Sequence, residues 1–279
     1  MLQTIISPAK QMQTAQDAFE PQGIPPFPRE TKRLHSALLD IERIEGAHGL
    51  QNLWGVSDRL LVSCLDALRA FMPVTDANNL CIPDIARHAS PAIISYHGIQ
   101  YQSMAPSVMR ASELRWLQSH LWILSGLYGC VRPFDAVMPY RLEMGAKLAI
   151  DDKRDLYAFW GDRLAHAIAS NGNATTVVNL ASVEYARAVL PHIDSEVTVI
   201  TCIFGEELRH GKPVQRANAS KKARGSMVRW MAEHAVEDVR QLPAFDIGYR
   251  YAPELSSEDT LIFLNNAASF WRAASASAG

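Results

Sequence analysis

The chain has 279 residues, 48% of them hydrophobic and 20% charged, which is enough for a sizeable core and far from the composition of a disordered protein. Its 27 Lys and Arg against 29 Asp and Glu give a formal charge of −2. That balance excludes a protein that coats nucleic acid with its whole surface, so any such role must rest on a local patch.

In chain order, Leu2 to Ile6 reads as a strand ended by Ser7-Pro8, and residues 11–28, polar and then proline-rich, read as a loop. Residues 29–46 and 51–71 read as two helices joined by a turn at Gly46 and Gly49, either an ordinary helical pair or a nucleic-acid hairpin. Residues 92–95 are apolar and run into 96–101, which suggest a bent or bulged strand. Pro106 opens a helix reaching about His120. A buried strand over 121–124 leads into Ser125-Gly126-Leu127-Tyr128-Gly129. A helix over 155–170 follows, then a strand over 175–180, a short helix over 183–190 and a strand over 196–203. A long helix covers 219–240, and the last strand is 260–264. The alternation predicts a mixed α/β fold, a mixed sheet flanked by helices. Residues 1–265 are expected to form one domain, and the Ala- and Ser-rich stretch 266–279 a disordered tail.

The four cysteines, Cys64, Cys81, Cys130 and Cys202, form no CxxC pair, so neither a disulfide framework nor a zinc knuckle is expected. The start of the sequence lacks a signal-peptide pattern, and no run of about 18 apolar residues occurs. A cytoplasmic protein with no membrane span is expected. The standard nucleotide, metalloprotease, hydrolase and calcium motifs are absent, and the histidines are scattered. No metal, cofactor or protein partner is expected.

The motif blocks point to an anion site. Lys221-Lys222-Ala223-Arg224-Gly225 is predicted at the start of the long helix, where cations oppose the helix dipole. It reads either as a phosphate site or as a solvated basic turn. Ser125 to Gly129 directly follows a strand, so its glycines serve either a close backbone approach to a ligand or a tight turn. In a strand, Arg141 and Glu143 would share a face, as a pair that orients an anion-binding arginine or as a structural pair. Asn179 and Ser182 lie where a strand meets a helix, able to line a site or merely to cap. Glu184 is the best lone acid or base, and Lys10 ends the first strand.

These blocks together resemble the YaaA family of bacterial peroxide-stress-resistance proteins. The matching pieces are Ser7-Pro8-Ala9-Lys10, Leu124 to Gly129, Pro139 to Gly145, Leu156-Tyr157 with Phe159-Trp160-Gly161, Asn179 to Ser182 with Glu184-Tyr185, and Lys221 to Gly225. Gly248-Tyr249 matches more weakly. The blocks are colinear from residue 1 to about 264. The resemblance implies a single mixed α/β domain of unusual topology, with a positively charged cleft and a helix-hairpin-helix-like element. It further implies protection from hydrogen peroxide, a link to iron homeostasis and binding of DNA, with Lys10, Arg141, Lys221, Lys222 and Arg224 lining the cleft. One block departs: where the family shows aromatic-Lys-Gly-Asp-x-Tyr, this chain has Tyr96-His97-Gly98-Ile99-Gln100-Tyr101. His97 replaces a fixed cation and titrates near neutrality, and Ile99 replaces a carboxylate. Val183 also departs from the family's usual residue.

Two functions follow as expectations. The first is a peroxide-stress protein binding DNA or another polyanion through Lys10, Ser125, Arg141, Lys221, Lys222 and Arg224, supported by Ser7, Glu143, Asn179, Ser182 and His97. The alternative is an enzyme acting on a small phosphorylated or nucleotide-like substrate in the same cleft. There Glu184 would be acid or base, assisted by Tyr128 or Tyr185.

Overall fold

The computed structural model describes residues 1–15, 19–171 and 173–267. Seven strands form one mixed sheet: β1 (Leu2–Ile6), β2 (Leu121–Ser125), β3 (Gly129–Val131), β4 (Thr176–Leu180), β5 (Thr198–Gly205), β6 (Tyr249–Tyr251) and β7 (Thr260–Asn265). Their spatial order is β6-β7-β5-β4-β1-β2-β3. The five central strands run parallel, and β3 and β6 close the two edges antiparallel. Every residue of β1 and β2 is buried, as expected of parallel strands covered on both faces. Buried Gln3 is satisfied: its Oε1 accepts from Trp122 Nε1 at 3.0 Å and its Nε2 donates to the Ser119 carbonyl at 3.2 Å.

The chain passes from β1 out to β2, then returns past β1 to β4 and continues to β5. The order therefore reverses at the β1–β4 seam, and such seams open a crevice beyond the carboxyl ends of the strands.

The helices that concern the sheet and the site include α1 (Pro28–Trp54), α2 (Asp58–Ala70), α3 (Ile99–Met104), α4 (Ala111–His120), α5 (Arg163–Ser170) and α6 (Ala217–Glu233). Several boundaries depart from expectation. Gly46 (φ 69°) only kinks α1, which continues until Gly55 (φ 57°) caps it, so the joint with α2 lies at 55–57. The 11–28 segment contains a short strand, Gln11–Met12, paired with Tyr96–His97. Only those two residues of the expected 96–101 strand are extended, and the rest becomes α3. Pro106 opens only a 3-10 turn. Helix α4 starts at 111 because Glu113 Oε2 accepts from the Arg110 N–H at 2.8 Å and caps it there. Gly161 (φ 53°) interrupts the 155–170 helix, and residues 140–145 form no strand. Most of the tail expected at 266–279 lies outside the described residues. Among those described, no helix is long and apolar enough to cross a membrane.

Helix α6 packs on α3 and over β5, and α4 packs on β1. Gly225 is what lets α6 approach α3 so closely: a Cβ there would lie 1.9 Å from the Gln100 carbonyl oxygen. This glycine serves helix packing and does not touch the ligand space.

Candidate functional site

A cleft of about 400 Å³ opens beyond the carboxyl ends of β1 and β4. Ser7, immediately after β1, gathers its walls. Its Oγ accepts from the Ser182 N–H at 2.8 Å and lies 3.1 Å from Ser182 Oγ. Its carbonyl accepts from Gln100 Nε2 at 2.9 Å and from Tyr101 O–H at 3.0 Å. One residue thus ties both strand ends to α3.

Two sets of cations face the cleft. In the first, Glu143 sits between Lys10 and Arg141, 2.9 Å from Lys10 Nζ and 2.7 Å from Arg141 Nη2. Arg141 Nη1 also donates to the Lys10 carbonyl at 3.2 Å. The pairing of 141 with 143 comes from this extended segment and not from a strand. The second set is Lys221 and Arg224, one turn apart on α6 and so on one face. Neither makes an ion pair among the described residues. The Arg224 Nε is buried with no hydrogen-bond partner there. Burial pulls the Arg224 pKa down, opposed weakly by Cys202. A desolvated guanidinium without a counter-ion is costly unless an anion meets it.

Glu184 lines the cleft and a second, more open hollow of about 760 Å³ beside the α1–α2 joint. Its Oε1 accepts from the Gly145 N–H at 2.9 Å, and its carbonyl accepts from Tyr157 O–H at 3.1 Å. His97 is exposed at the rim, its Nε2 3.3 Å from Gln102 Nε2. Tyr140 and Tyr185 form inner wall. Burial pushes the Tyr140 phenol up to about 12 and Tyr185 well above its usual value, so both stay protonated near neutrality.

Of the expected residues, Ser7, Lys10, His97, Arg141, Glu143, Ser182, Glu184, Tyr185, Lys221 and Arg224 line this space. Four do not. Ser125 is wholly buried, its Oγ 2.7 Å from Tyr140 O–H and accepting from the Tyr128 N–H at 2.9 Å. It belongs to a tight turn between β2 and β3, in which a Cβ on Gly126 would strike the Leu142 carbonyl. Tyr128 is buried beside it, its O–H accepting from the Met138 N–H at 2.9 Å, and burial raises its pKa. Asn179 folds back locally: its Oδ1 accepts from the Ala181 N–H at 3.0 Å and its Nδ2 donates to Thr201 Oγ1 at 3.3 Å. Lys222 is exposed and does not line the cleft. Because α6 begins at Ala217, the basic residues also lie beyond its first turn, so the free N–H groups of the helix end are not beside them.

Gln100 and Tyr101, which bind Ser7, lie in the Tyr96–Tyr101 block, whose pattern alone does not mark them as its partners. Nor does any local motif mark Glu45, Asn52 and Lys147 of the second hollow. Cys130 and Cys202 are buried, and burial pushes both thiols up, Cys202 to about 12. That environment makes neither a reactive thiolate. Among the described residues, no group of three or more His, Cys, Asp or Glu is placed to hold a metal ion.

A family model described as "Peroxide stress protein YaaA" matches residues 2–255. The chain is 39% identical to a UPF0246 protein of Pediococcus pentosaceus over 266 residues, 95% of this chain and 98% of that one. It is 40% identical to a UPF0246 protein of Lacticaseibacillus casei over 261 residues, 93% and 98% of the two chains. A UPF0246 protein of Desulfitobacterium hafniense is 37% identical over 264 residues, 94% and 98%.

Proposed function

The chain belongs to the YaaA family of peroxide stress proteins, and on that premise we propose that its cleft binds DNA or another phosphate-bearing polyanion, with one phosphate seated at Arg224 and Lys221. The observation that carries this reading is half-buried Arg224, whose Nε is buried without a hydrogen-bond partner and whose guanidinium has no carboxylate partner among the described residues. Phosphate oxygens accept paired, charge-assisted hydrogen bonds from the planar guanidinium fork. Lys10 and Arg141 contribute less, because Glu143 already offsets part of their charge. The overall charge of −2 means that attraction must come from a local patch such as this one.

Fluorescence anisotropy of a labelled duplex at two salt concentrations tests it. Binding that weakens steeply with salt, and that Arg224→Met removes, is expected. Salt-insensitive binding, or unchanged affinity in Arg224→Met, overturns it.

A second reading is favoured by the enclosure of the cleft, whose volume suits a single small ligand. In it the protein acts on a small phosphorylated substrate, with Glu184 as acid or base and the cations holding the phosphate. Tyr185 would contribute as a neutral hydrogen-bonding group and not as a base, since its phenol stays protonated. Turnover lost in Glu184→Gln while phosphate binding persists would support it. A wild-type protein that binds phosphate compounds but leaves every one of them unchanged would count against it.

A further inference from the structure

We propose that the cleft takes a ligand with a phosphate at one end and a nitrogen-bound hydrogen-bond donor at the other, namely an amino-bearing nucleotide unit, with Glu184 receiving the donor. This rests on the phosphate reading above.

The charges of the cleft are not evenly spread. Lys221 and Arg224 line the cleft but not the second hollow and make no ion pair among the described residues. Lys10 and Glu143 line both spaces and, with Arg141, bind one another. Glu184 also lines both and makes no ion pair among the described residues. That hollow is lined by three carboxylates, Glu45, Glu143 and Glu184, against two cations, Lys10 and Lys147. A chain of phosphates running through both spaces would meet repulsion at Glu184 and beyond, so only one end of the site suits phosphate.

Glu184 is held in place rather than free. Its Oε1 is fixed by the Gly145 N–H and its carbonyl by Tyr157. Gly145 allows this approach, since a Cβ there would lie 3.2 Å from Oε1. Oε2 makes no hydrogen bond or ion pair among the described residues. A fixed carboxylate with an open oxygen receives N–H donors well and rejects acceptors. The enclosed volume suits a nucleoside monophosphate.

The test is calorimetric titration of the wild type and Glu184→Gln with ribose 5-phosphate and with guanosine monophosphate. Gln keeps an oxygen for Gly145 but turns an N–H₂ group toward the ligand's own donors. The wild type should bind guanosine monophosphate more tightly than ribose 5-phosphate. Glu184→Gln should weaken the nucleotide about tenfold, the size of a lost charge-assisted hydrogen bond, and leave ribose 5-phosphate unchanged or tighter. Unchanged or tighter nucleotide binding in Glu184→Gln overturns the proposal while leaving the phosphate reading intact. If neither compound binds the wild type, this inference falls, while the duplex titration decides the phosphate reading separately.

Discussion

Gly225 and the Gln100 carbonyl meet with no room between them: a Cβ added to the glycine would lie 1.9 Å from that oxygen. The contact is backbone to backbone, so no flexible side chain can yield. Gly225→Ala should force α3 and α6 apart and lower stability by about 2 kcal/mol or more, seen as a fall of several degrees in Tm. Gln100 and Tyr101 hold Ser7, and Lys221 and Arg224 ride on α6. The same variant should therefore weaken phosphate binding, and unchanged stability would show that the two helices have slack.

Arg224→Met should separate stability from binding. It removes a poorly solvated cation with no counter-ion among the described residues and keeps much of its volume. Tm should stay level or rise, by about 1 kcal/mol in stability terms, while phosphate affinity is lost. A variant that loses both would mean that Arg224 supports the fold through contacts of its own.

Lys221 and Lys222 are adjacent in sequence but only the first lines the cleft. Lys221→Ala should weaken polyanion binding and lower the salt dependence by about one counter-ion. Lys222→Ala should leave both nearly unchanged. Anisotropy titrations over a salt series make the comparison, and equal losses would argue for a surface patch in place of the cleft.

Glu143→Gln should tighten anion binding and loosen the protein. It deletes the carboxylate shared by Lys10 and Arg141, leaving more uncompensated positive charge in the cleft. The Arg141 side chain is only 13% exposed, so weakening its partner should cost about 1 kcal/mol. Thermal denaturation and phosphate titration of the one variant read both signs.

Asp135 makes a pH-dependent contribution away from the cleft. Burial is the main cause that pushes its carboxyl up to about 7, opposed by the Arg132 N–H and guanidinium. Its folded pKa lies above the unfolded one, so between about pH 4 and pH 7 the folded state holds the extra proton. Its contribution therefore falls as pH rises through that window and levels off above it. The stability of Asp135→Asn relative to wild type should grow across the same window in urea titrations at stepped pH. A difference that does not change with pH would place the Asp135 carboxyl near its ordinary value.

The central strands were legible because buried parallel strands are short and rich in apolar residues, unbroken in Leu121 to Leu124 and interrupted only by Gln3 and Thr4 in Leu2 to Ile6. The edge strands β3 and β6 are three residues each and carry too little pattern to be seen. Residues 96–101 read as a bent strand because they follow the apolar run 92–95, whereas 99–104 form a helix packed closely on Gly225 of α6. Lys222 was grouped with its neighbours because a run of cations does not say which face of a helix each one takes. Ser125 and Tyr128 lay in a glycine turn open to two readings, and contacts from residues 138–142 chose the packing one. The Arg141–Glu143 pairing was read from alternation in a strand, yet it arises in a segment with no strand partner.

The position of β1 at the middle of the sheet also bears on how the chain is made. Thr4 pairs with Leu121 on one side and Leu2 with Thr176 on the other. During synthesis the first apolar strand leaves the ribosome with neither neighbour yet translated, and waits on the order of ten seconds for the nearer one. Throughout that interval its unpaired edges are exposed to other nascent chains. Its closure with the strands at Leu121 and Thr176 is long-range and therefore slow, so the sheet cannot assemble around its own central strand until both distant partners have been made.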